Sequence, residues 1–312
     1  MIPERSQREN LLERAAGLLE ALGFSVARQL TPSCFDLLAR DGDTIFLLKI
    51  LSNVDSLTEE QSIDLRRVSN VIGATPMLIG ESARGEPMME HTVYERYNVA
   101  CVSFKTFENA LSEHHFPFVY SKKGGFYSHL NTDYLRKLMQ KNNISAGALA
   151  REAGISKSSL LNYERGQGAS IENIERLQEA LGDLVLDPID VFRFEEESPE
   201  LSSGISKIEK IVESHFGDIG FKTAAVTKAS FSLIGRSKKD IIFTGLKSKS
   251  LEKRAEDIRE SSKVLGQHGM FVLKKTEERQ VSGVPVLGEQ EFQETVTSKQ
   301  LLKLLRELEE VD

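Results

Sequence analysis

The sequence predicts a chain of α/β class combined with an all-α part: two related α/β domains flanking a segment of four to five helices. Three observations lead there. The order of apolar runs and turn residues in the first third recurs in the last third. The stretch between them carries apolar residues at three-to-four spacing, the helical period. Charge also reverses within that stretch, from basic to strongly acidic. With 312 residues the chain has room for two or three domains of about 100–200 residues each.

The first segment opens on an amphipathic helix. Leu11, Leu12, Ala15, Leu18, Leu19 and Leu22 share one face, and Gly23 suits the C-cap. Strands are expected at Phe24–Gln29, Cys34–Ala39 and Thr44–Leu51, with Asp41-Gly42-Asp43 as the hairpin turn between the last two. A helix over Leu57–Ile72, strands near Pro76–Ile79 and Val99–Val102, and a helix at Lys105–Leu111 complete the segment.

The last segment repeats that order. A helix over Ser206–Phe216 leads to Gly220-Phe221, the counterpart of Gly23-Phe24. Phe231-Ser232-Leu233-Ile234-Gly235-Arg236 parallels Phe35-Asp36-Leu37-Leu38-Ala39-Arg40. Lys238-Lys239-Asp240 supplies a turn, and Ile241–Lys247 parallels Thr44–Lys49 with a small insertion. A helix at Leu251–Leu265, strands at Met270–Lys274 and Val284–Leu287, and a closing helix near Ser298–Leu308 follow. Two copies mean duplication rather than a solenoid. The expected domains are 1–120 (α/β), 121–194 (helical), an acidic linker at 195–203, and 204–312 (second α/β). Ser121–Gly125 reads as the flexible lead-in to the helical part.

Ser121–Ser170 holds eight basic residues (Lys122, Lys123, Arg136, Lys137, Lys141, Arg151, Lys157, Arg165) against Asp133, Glu152 and Glu164, whereas Ile171–Glu200 holds ten acidic residues against Arg176 and Arg193. The chain as a whole is at −7, but screening limits the reach of a charge to about 8–10 Å, so the local basic patch decides what can approach it. Four helices can be drawn here: Asp133–Lys141, Ala146–Glu152, Lys157–Glu164 and Ile171–Leu181. Thr132, Ser145, Ser156 and Ser170 serve as their N-caps. Ala150 is small enough for two helices to cross closely, Gly154 can take the left-handed turn, and Ile155 and Leu160 plug the shared core.

These residues, with the Asn-Tyr-Glu-Arg-Gly run at 162–166, resemble the Cro/phage-repressor class of helix-turn-helix domains over about sixty residues. The resemblance implies that the helix at 156–164 enters the major groove of double-stranded DNA. It makes Lys157, Ser158 and Asn162 the base-edge readers, with Ser156 and Ser159 at the same helix start. Ser145 would meet phosphate, and Arg165 and Gln167 the sugar-phosphate rim. That class often has Gln directly after the Ser145 position; here it is Ala146, so one customary anchor is missing.

The flanking segments resemble the PD-(D/E)xK restriction-endonuclease-like fold: a helix, a strand carrying Asp36, a hairpin, and a strand reaching Lys49. The chemistry of that fold uses two carboxylates to hold a divalent metal that activates water. The second carboxylate should stand two residues before Lys49, where Leu47 stands; in the second copy Ser232 replaces Asp36, and Gly245 stands two residues before Lys247. The α/β domains therefore read as degenerate and non-enzymatic, although Glu9 or Glu13 could in principle add a ligand. The whole order of domains resembles an archaeal family of helix-turn-helix transcriptional regulators. Alternatives are a PD-(D/E)xK nuclease, or a coactivator acting through protein contacts; archaeal coactivators of that kind carry a cysteine-rich zinc ribbon, which this sequence lacks.

The remaining composition narrows the classes. Cys34 and Cys101, the two cysteines, read as buried reduced thiols, and scattered histidines without CxxC or HxxxH give no zinc pattern, with His114–His115 placed on a loop. No apolar run approaches the roughly 20 residues of a membrane span, and the charged N-terminus is no signal peptide, so a cytoplasmic protein without membrane contact is expected. No cofactor is expected, and the effector, if any, is unspecified. The partners expected are double-stranded DNA and a second copy of the chain, paired through contacts that include the α/β domains; Leu301, Leu302, Leu304 and Leu305 fit a pairing surface and a buried core helix equally well.

Overall fold

The computed structural model describes residues 4–194, 206–247, 249–274 and 278–309. These form two compact units: one of Met1–Gly80, Arg96–Val99 and Phe194–Asp312, the other of Glu81–Glu95 and Ala100–Arg193. In chain order the first run is α1 (Glu4–Ala21), β1 (Ser25–Arg28), β2 (Leu37–Asp41), β3 (Thr44–Asn53), α2 (Glu59–Ile72) and β4 (Thr75–Ala83). The middle run is β5 (Glu86–Pro87), β6 (Thr92–Arg96), β7 (Val99–Ser103), α3 (Phe104–Glu113), β8 (Val119–Lys122), β9 (Gly125–Leu130), α4 (Thr132–Lys141), α5 (Ala146–Glu152), α6 (Lys157–Tyr163), β10 (Ala169–Ser170), α7 (Ile171–Leu181) and β11 (Leu186–Asp187). The last run is α8 (Lys207–Asp218), β12 (Lys222–Ala225), β13 (Leu233–Ser237), β14 (Asp240–Gly245), α9 (Leu251–Leu265), β15 (His268–Leu273), β16 (Gln280–Val281), β17 (Val284–Gly288), α10 (Glu289–Gln293) and α11 (Ser298–Glu309).

Within the first unit, β1, β2 and β3 form an antiparallel meander, and β12, β13 and β14 form another with matching register. Arg40 pairs with Ser25 and Ile45 in one, Arg236 with Lys222 and Ile241 in the other. The sheet of the last run continues through β15 and β17 in parallel, and α9 is the crossover helix that such parallel pairing requires. The apolar stripe of α1 buries Leu11, Ala15 and Leu19 completely, whereas Leu22, past the last full turn, is 39 % exposed. Of the two roles open to the leucines of α11, it is the core helix that the structure shows: Leu301, Leu302 and Leu305 are buried against Phe216, Met270 and Phe292, and Leu304 packs on the same cluster. An amphipathic stripe that closes its own domain is not available to a second chain.

The two halves of this unit make reciprocal contacts. Asp64 of α2 accepts hydrogen bonds from the Thr227 and Lys228 backbone N–H groups, each at 2.7 Å, and from the Thr227 hydroxyl at 3.0 Å. Asp257 of α9, the equivalent helix, accepts from Leu30 N (2.6 Å), Thr31 N (3.1 Å) and the Thr31 hydroxyl (2.5 Å). Arg40 donates to the Leu265 carbonyl at the end of α9, and Arg236 to the Val71 carbonyl near the end of α2. Phe35 and Phe231, matching positions in the repeat, face each other with ring centroids 6.4 Å apart. Residues equivalent in the repeat thus meet across a local pseudo-twofold axis. Each of these buried carboxylates satisfies two backbone donors and a hydroxyl across the contact between the halves.

In the second unit β6 pairs with β8 in parallel, β8 with β9 as a hairpin, and β9 also takes β10 and β11. The segment expected to be purely helical therefore has a strand platform, and Ser121–Gly125, expected as a flexible lead-in, is the end of a hairpin with Gly124 and Gly125 at φ +104° and +144°. Leu130 of β9 packs in one cluster with Leu135, Leu138, Leu149, Leu160 and Leu177. The acidic linker expected from residue 195 lies outside the described residues. No helix among the described residues is long and apolar enough to cross a membrane.

Candidate nucleic-acid interface

Helices α5 and α6 are built by local chemistry. The Ser145 hydroxyl accepts from Ala148 N at 3.2 Å, and that of Ser156 from Ser159 N at 2.9 Å, so each helix starts on a side-chain cap. Asn131, rather than Thr132, caps α4, its side chain accepting from Tyr134 N at 2.8 Å; its neighbour is the first helical residue. Between α5 and α6 the backbone reverses at Gly154, φ +64°, a conformation that costs a side-chain-bearing residue about 1 kcal/mol or more. Arg176 of α7 donates to the Gly154 carbonyl at 3.3 Å and steadies that turn. Leu149, Ala150, Leu160 and Tyr163 are buried at the crossing, with Ile155 packed against them, and the Tyr163 hydroxyl accepts from Asn173 at 2.8 Å.

The buried face of α6 leaves the opposite face outward. Lys157, Ser158, Arg165 and Gln167 are exposed, as are Ser145 and Ser156, while Ser159 and Asn162 are half-buried. The structure brings Ser156, Ser158 and Ser159 together: their hydroxyls lie 2.8 Å (156–158) and 2.7 Å (156–159) apart. All three hydroxyls thus meet at the helix start, with Ser158 exposed there, and Lys157 projects from it. The Asn162 carbonyl accepts from Arg165 N (3.1 Å) and Gln167 N (3.0 Å), which folds the two rim residues back under the end of α6. A residue missed in the sequence joins this surface. Arg136 of α4 donates to the Glu164 carbonyl at 2.7 Å and shares an open groove of about 380 Å³ with Gln140, Asn143 and Ser145. A basic residue one turn into α4 was its signal.

Asp36 and Lys49 meet as a closed cluster. The Asp36 carboxylate accepts from Lys49 Nζ (3.2 Å), Ile50 N (2.7 Å) and Arg8 Nη2 (2.7 Å), and Lys49 donates also to the Ser33 carbonyl at 2.6 Å. Arg8 is fixed in turn by the Ile50 carbonyl at 3.0 Å. Leu47, where a second carboxylate would be needed, is fully buried. Glu13 lies 3.5 Å from Arg28. Among the described residues no group of three or more His, Cys, Asp or Glu side chains could hold a metal ion. The second half is further from such a centre than the sequence alignment suggests. Asp36 N and Ser232 N donate to Leu48 and Thr244 respectively, so Gly245 occupies the place of Lys49 and Phe243 that of Leu47, with no insertion before them. A Cβ on Gly245 would lie 2.2 Å from the Phe271 ring, which fills the space a lysine would need. Cys34 and Cys101 are buried free thiols, and burial pushes the Cys34 thiol well above its ordinary value.

Residues 8–117 match the PD-(D/E)XK superfamily domain, and residues 135–184 match the helix-turn-helix family. An HTH-type transcriptional regulatory protein of Thermococcus gammatolerans is 32% identical, covering 97% of each chain. One of Thermococcus kodakarensis is also 32% identical, over 97% of this chain and 96% of its own. One of Archaeoglobus fulgidus is 28% identical over 95% and 97%. The chain belongs to this archaeal family. No solved structure matches it. In this HTH-type regulatory protein the helix-turn-helix match runs from Leu135 within α4 to beyond the end of α7, and includes the α5–α6 crossing. The PD-(D/E)XK match begins at Arg8, the residue whose guanidinium stands against Asp36.

Proposed function

We propose that this chain is a sequence-specific, DNA-binding transcriptional regulator that lays α6 in the major groove. The observation that carries the reading is the division of α6 into a buried face pinned on α5 and an outward face that presents Lys157 and Ser158 at its N-terminal end. A Lys there can donate to guanine O6 or N7, and Asn162 can pair with adenine. Ser145, Arg165 and Gln167 are assigned to the sugar-phosphate backbone, where backbone N–H groups and cations fix register without reading sequence. Ser156 and Ser159 act mainly as the cap. Such a chain works where the DNA is, in the cytoplasm. Selection of bound sequences from random duplex DNA tests the reading: an enriched motif supports it, and retention of all sequences equally would refute it.

The α/β halves serve as scaffold, without hydrolysis. Arg8 places a fixed positive charge against the one carboxylate that would hold a divalent ion, so the cation is built into the chain. A metal centre needs at least a second oxygen ligand there, and Leu47 supplies none. The family match to PD-(D/E)XK keeps a nuclease as the second reading, and it has a direct test. Incubation of duplex and branched DNA with magnesium or manganese should give no cleavage; metal-dependent cleavage abolished by Asp36→Ala in protein whose circular dichroism shows it still folded would establish the nuclease.

The regulator is expected to act as a homodimer, because a few base contacts from one helix are too few to discriminate a site against a genome, and twofold pairing sets two half-sites about 34 Å apart. The buried leucines of α11 do not supply the pairing surface. Light scattering on the free chain and on a selected duplex checks this, and a monomer bound to one half-site would contradict it.

A further inference from the structure

The unit that carries the helix-turn-helix also contains a cavity of about 420 Å³, within the roughly 300–1,000 Å³ of small-molecule sites. Its lining combines aromatic rings with cations: Tyr120 and His129 beside Arg84, Lys122 and Lys123, with Glu95 the one acidic residue and Val93 and Ile189 apolar. The arrangement follows from the hairpin. Tyr120 of β8 pairs in register with Tyr127 of β9, and side chains two residues apart on a strand share a face. Tyr127 and His129 are therefore drawn up beside Tyr120, nearly parallel to it, at centroid distances of 5.9 and 5.0 Å and interplanar angles of 24° and 23°. Lys122, two residues beyond Tyr120, places its ammonium 5.1 Å from the Tyr120 ring centroid. Flat rings next to a cluster of ammonium and guanidinium groups suit a ligand that is planar and aromatic at one end and anionic at the other.

The same side chains hold the end of the recognition helix. The Tyr120 hydroxyl lies against Gly168, where a Cβ would come within 1.7 Å of it. His129 Nδ1 is 3.2 Å from the Gly166 carbonyl. Gly166 N in turn donates to the Tyr163 carbonyl, and Gln167 N to that of Asn162. Movement of the hairpin rings is thereby passed to the turn that sets Asn162, Arg165 and Gln167. We propose that this cavity is an effector site for a nucleoside monophosphate or a closely similar aromatic anion, and that its occupancy alters the affinity of α6 for DNA. The second half of that statement rests on the DNA-binding reading given above; the first does not. A concave site also favours a small ligand over duplex phosphates, which are met by projecting elements such as α6.

The test uses the full chain and isothermal titration calorimetry, with AMP as probe and adenosine, ribose 5-phosphate and inorganic phosphate as separate arms. AMP should bind at one site per chain. Adenosine and inorganic phosphate should each bind about tenfold or more weaker, as expected when the ring or the charge-assisted bonds are lost. Lys122→Ala/Lys123→Ala should weaken AMP by about tenfold while leaving the thermal unfolding of the chain unchanged, since both residues are exposed. AMP should also shift the affinity for a selected duplex by about fivefold or more, with the duplex shifting AMP by the same factor. Absence of saturable AMP binding, AMP binding unchanged in the double variant, or AMP binding without effect on the duplex would each overturn the proposal. So would a double variant that loses duplex affinity without nucleotide, since the lysines would then serve DNA. Should no duplex be bound under any condition, the regulatory reading fails while the AMP titration still decides whether the cavity is a site.

Discussion

Replacing Asp36 by Ala separates a structural carboxylate from a catalytic one. In the native chain Lys49 is 6 % exposed, and its ammonium has two acceptors, the Asp36 carboxylate and the Ser33 carbonyl. Asp36 also takes the Ile50 N–H at 2.7 Å. Asp36→Ala therefore strands a buried ammonium on one carbonyl and leaves a buried backbone donor without its acceptor. Removing one partner of a buried ion pair costs about 3–5 kcal/mol, most of it the uncompensated charge. The bond from Arg8 adds little, because that side chain is 38 % exposed and solvent screens it. The expected loss is about 3–5 kcal/mol in urea unfolding followed by circular dichroism. Asp36→Ala/Lys49→Met should recover a large part of it, since the stranded charge goes too. A carboxylate kept for metal chemistry behaves otherwise: its removal relieves strain at the site and leaves stability unchanged or raised. A loss below about 1 kcal/mol, or a gain, would refute the structural reading.

Three further outcomes follow from the same geometry. Asp64→Ala removes the acceptor of two backbone N–H groups and a hydroxyl at the contact between the α/β halves, and should cost about 3 kcal/mol in the same unfolding assay; a cost within experimental error would show that the halves do not depend on it. Burial holds the Asp257 carboxyl above the usual carboxylate range, against the opposing pull of the Thr31 and Leu30 bonds and of Arg254. The folded state then binds the proton more tightly than the unfolded one, so the stability from this group is present below the unfolded pKa of about 4 and is lost as pH rises through the higher folded value. Asp257→Asn should remove that component from the pH–stability curve, and an unchanged curve would contradict it. Gly154→Ala should cost about 1 kcal/mol through its left-handed φ alone, since a Cβ there meets nothing nearer than an Arg176 nitrogen at 3.9 Å; calorimetric melting reads this, and a neutral result would mean that the turn relaxes.

What the sequence disclosed depended on how local the cause was. Ser145, Ser156 and Ser170 cap helices within three residues, and Gly154 turns the chain between them, so the helix-turn-helix was legible in a short window. The repeat was legible because paired runs such as Phe35–Arg40 and Phe231–Arg236 carry matching residue types in the same order, each buried without a break up to its closing arginine. The β8–β9 hairpin was not, because Lys122-Lys123-Gly124-Gly125 looks like a linker and its flanking strands earn their place by packing Leu130 on distant helices. The Arg8–Asp36 bond and the reciprocal Asp64 and Asp257 contacts join residues far apart in sequence, and no local pattern announces them. The β13–β14 register puts Gly245, rather than Lys247, in the place of Lys49; the small insertion expected from the sequence is absent, and the constant spacing from the Phe35–Phe231 match leads straight to Gly245. The leucines of α11 show the remaining ambiguity: an apolar stripe specifies that a face is buried, not what buries it.

The central claim is that α6 reads base edges, and fluorescence anisotropy with one selected duplex and one scrambled duplex tests it most directly. Asn162→Ala and Lys157→Ala should each reduce the preference for the selected duplex by about 1–3 kcal/mol. Both leave the buried face of α6 intact, so thermal stability should stay within about 0.5 kcal/mol of the parent chain. Correctly folded variants that keep the full preference of the parent would contradict the assignment of α6 to the major groove.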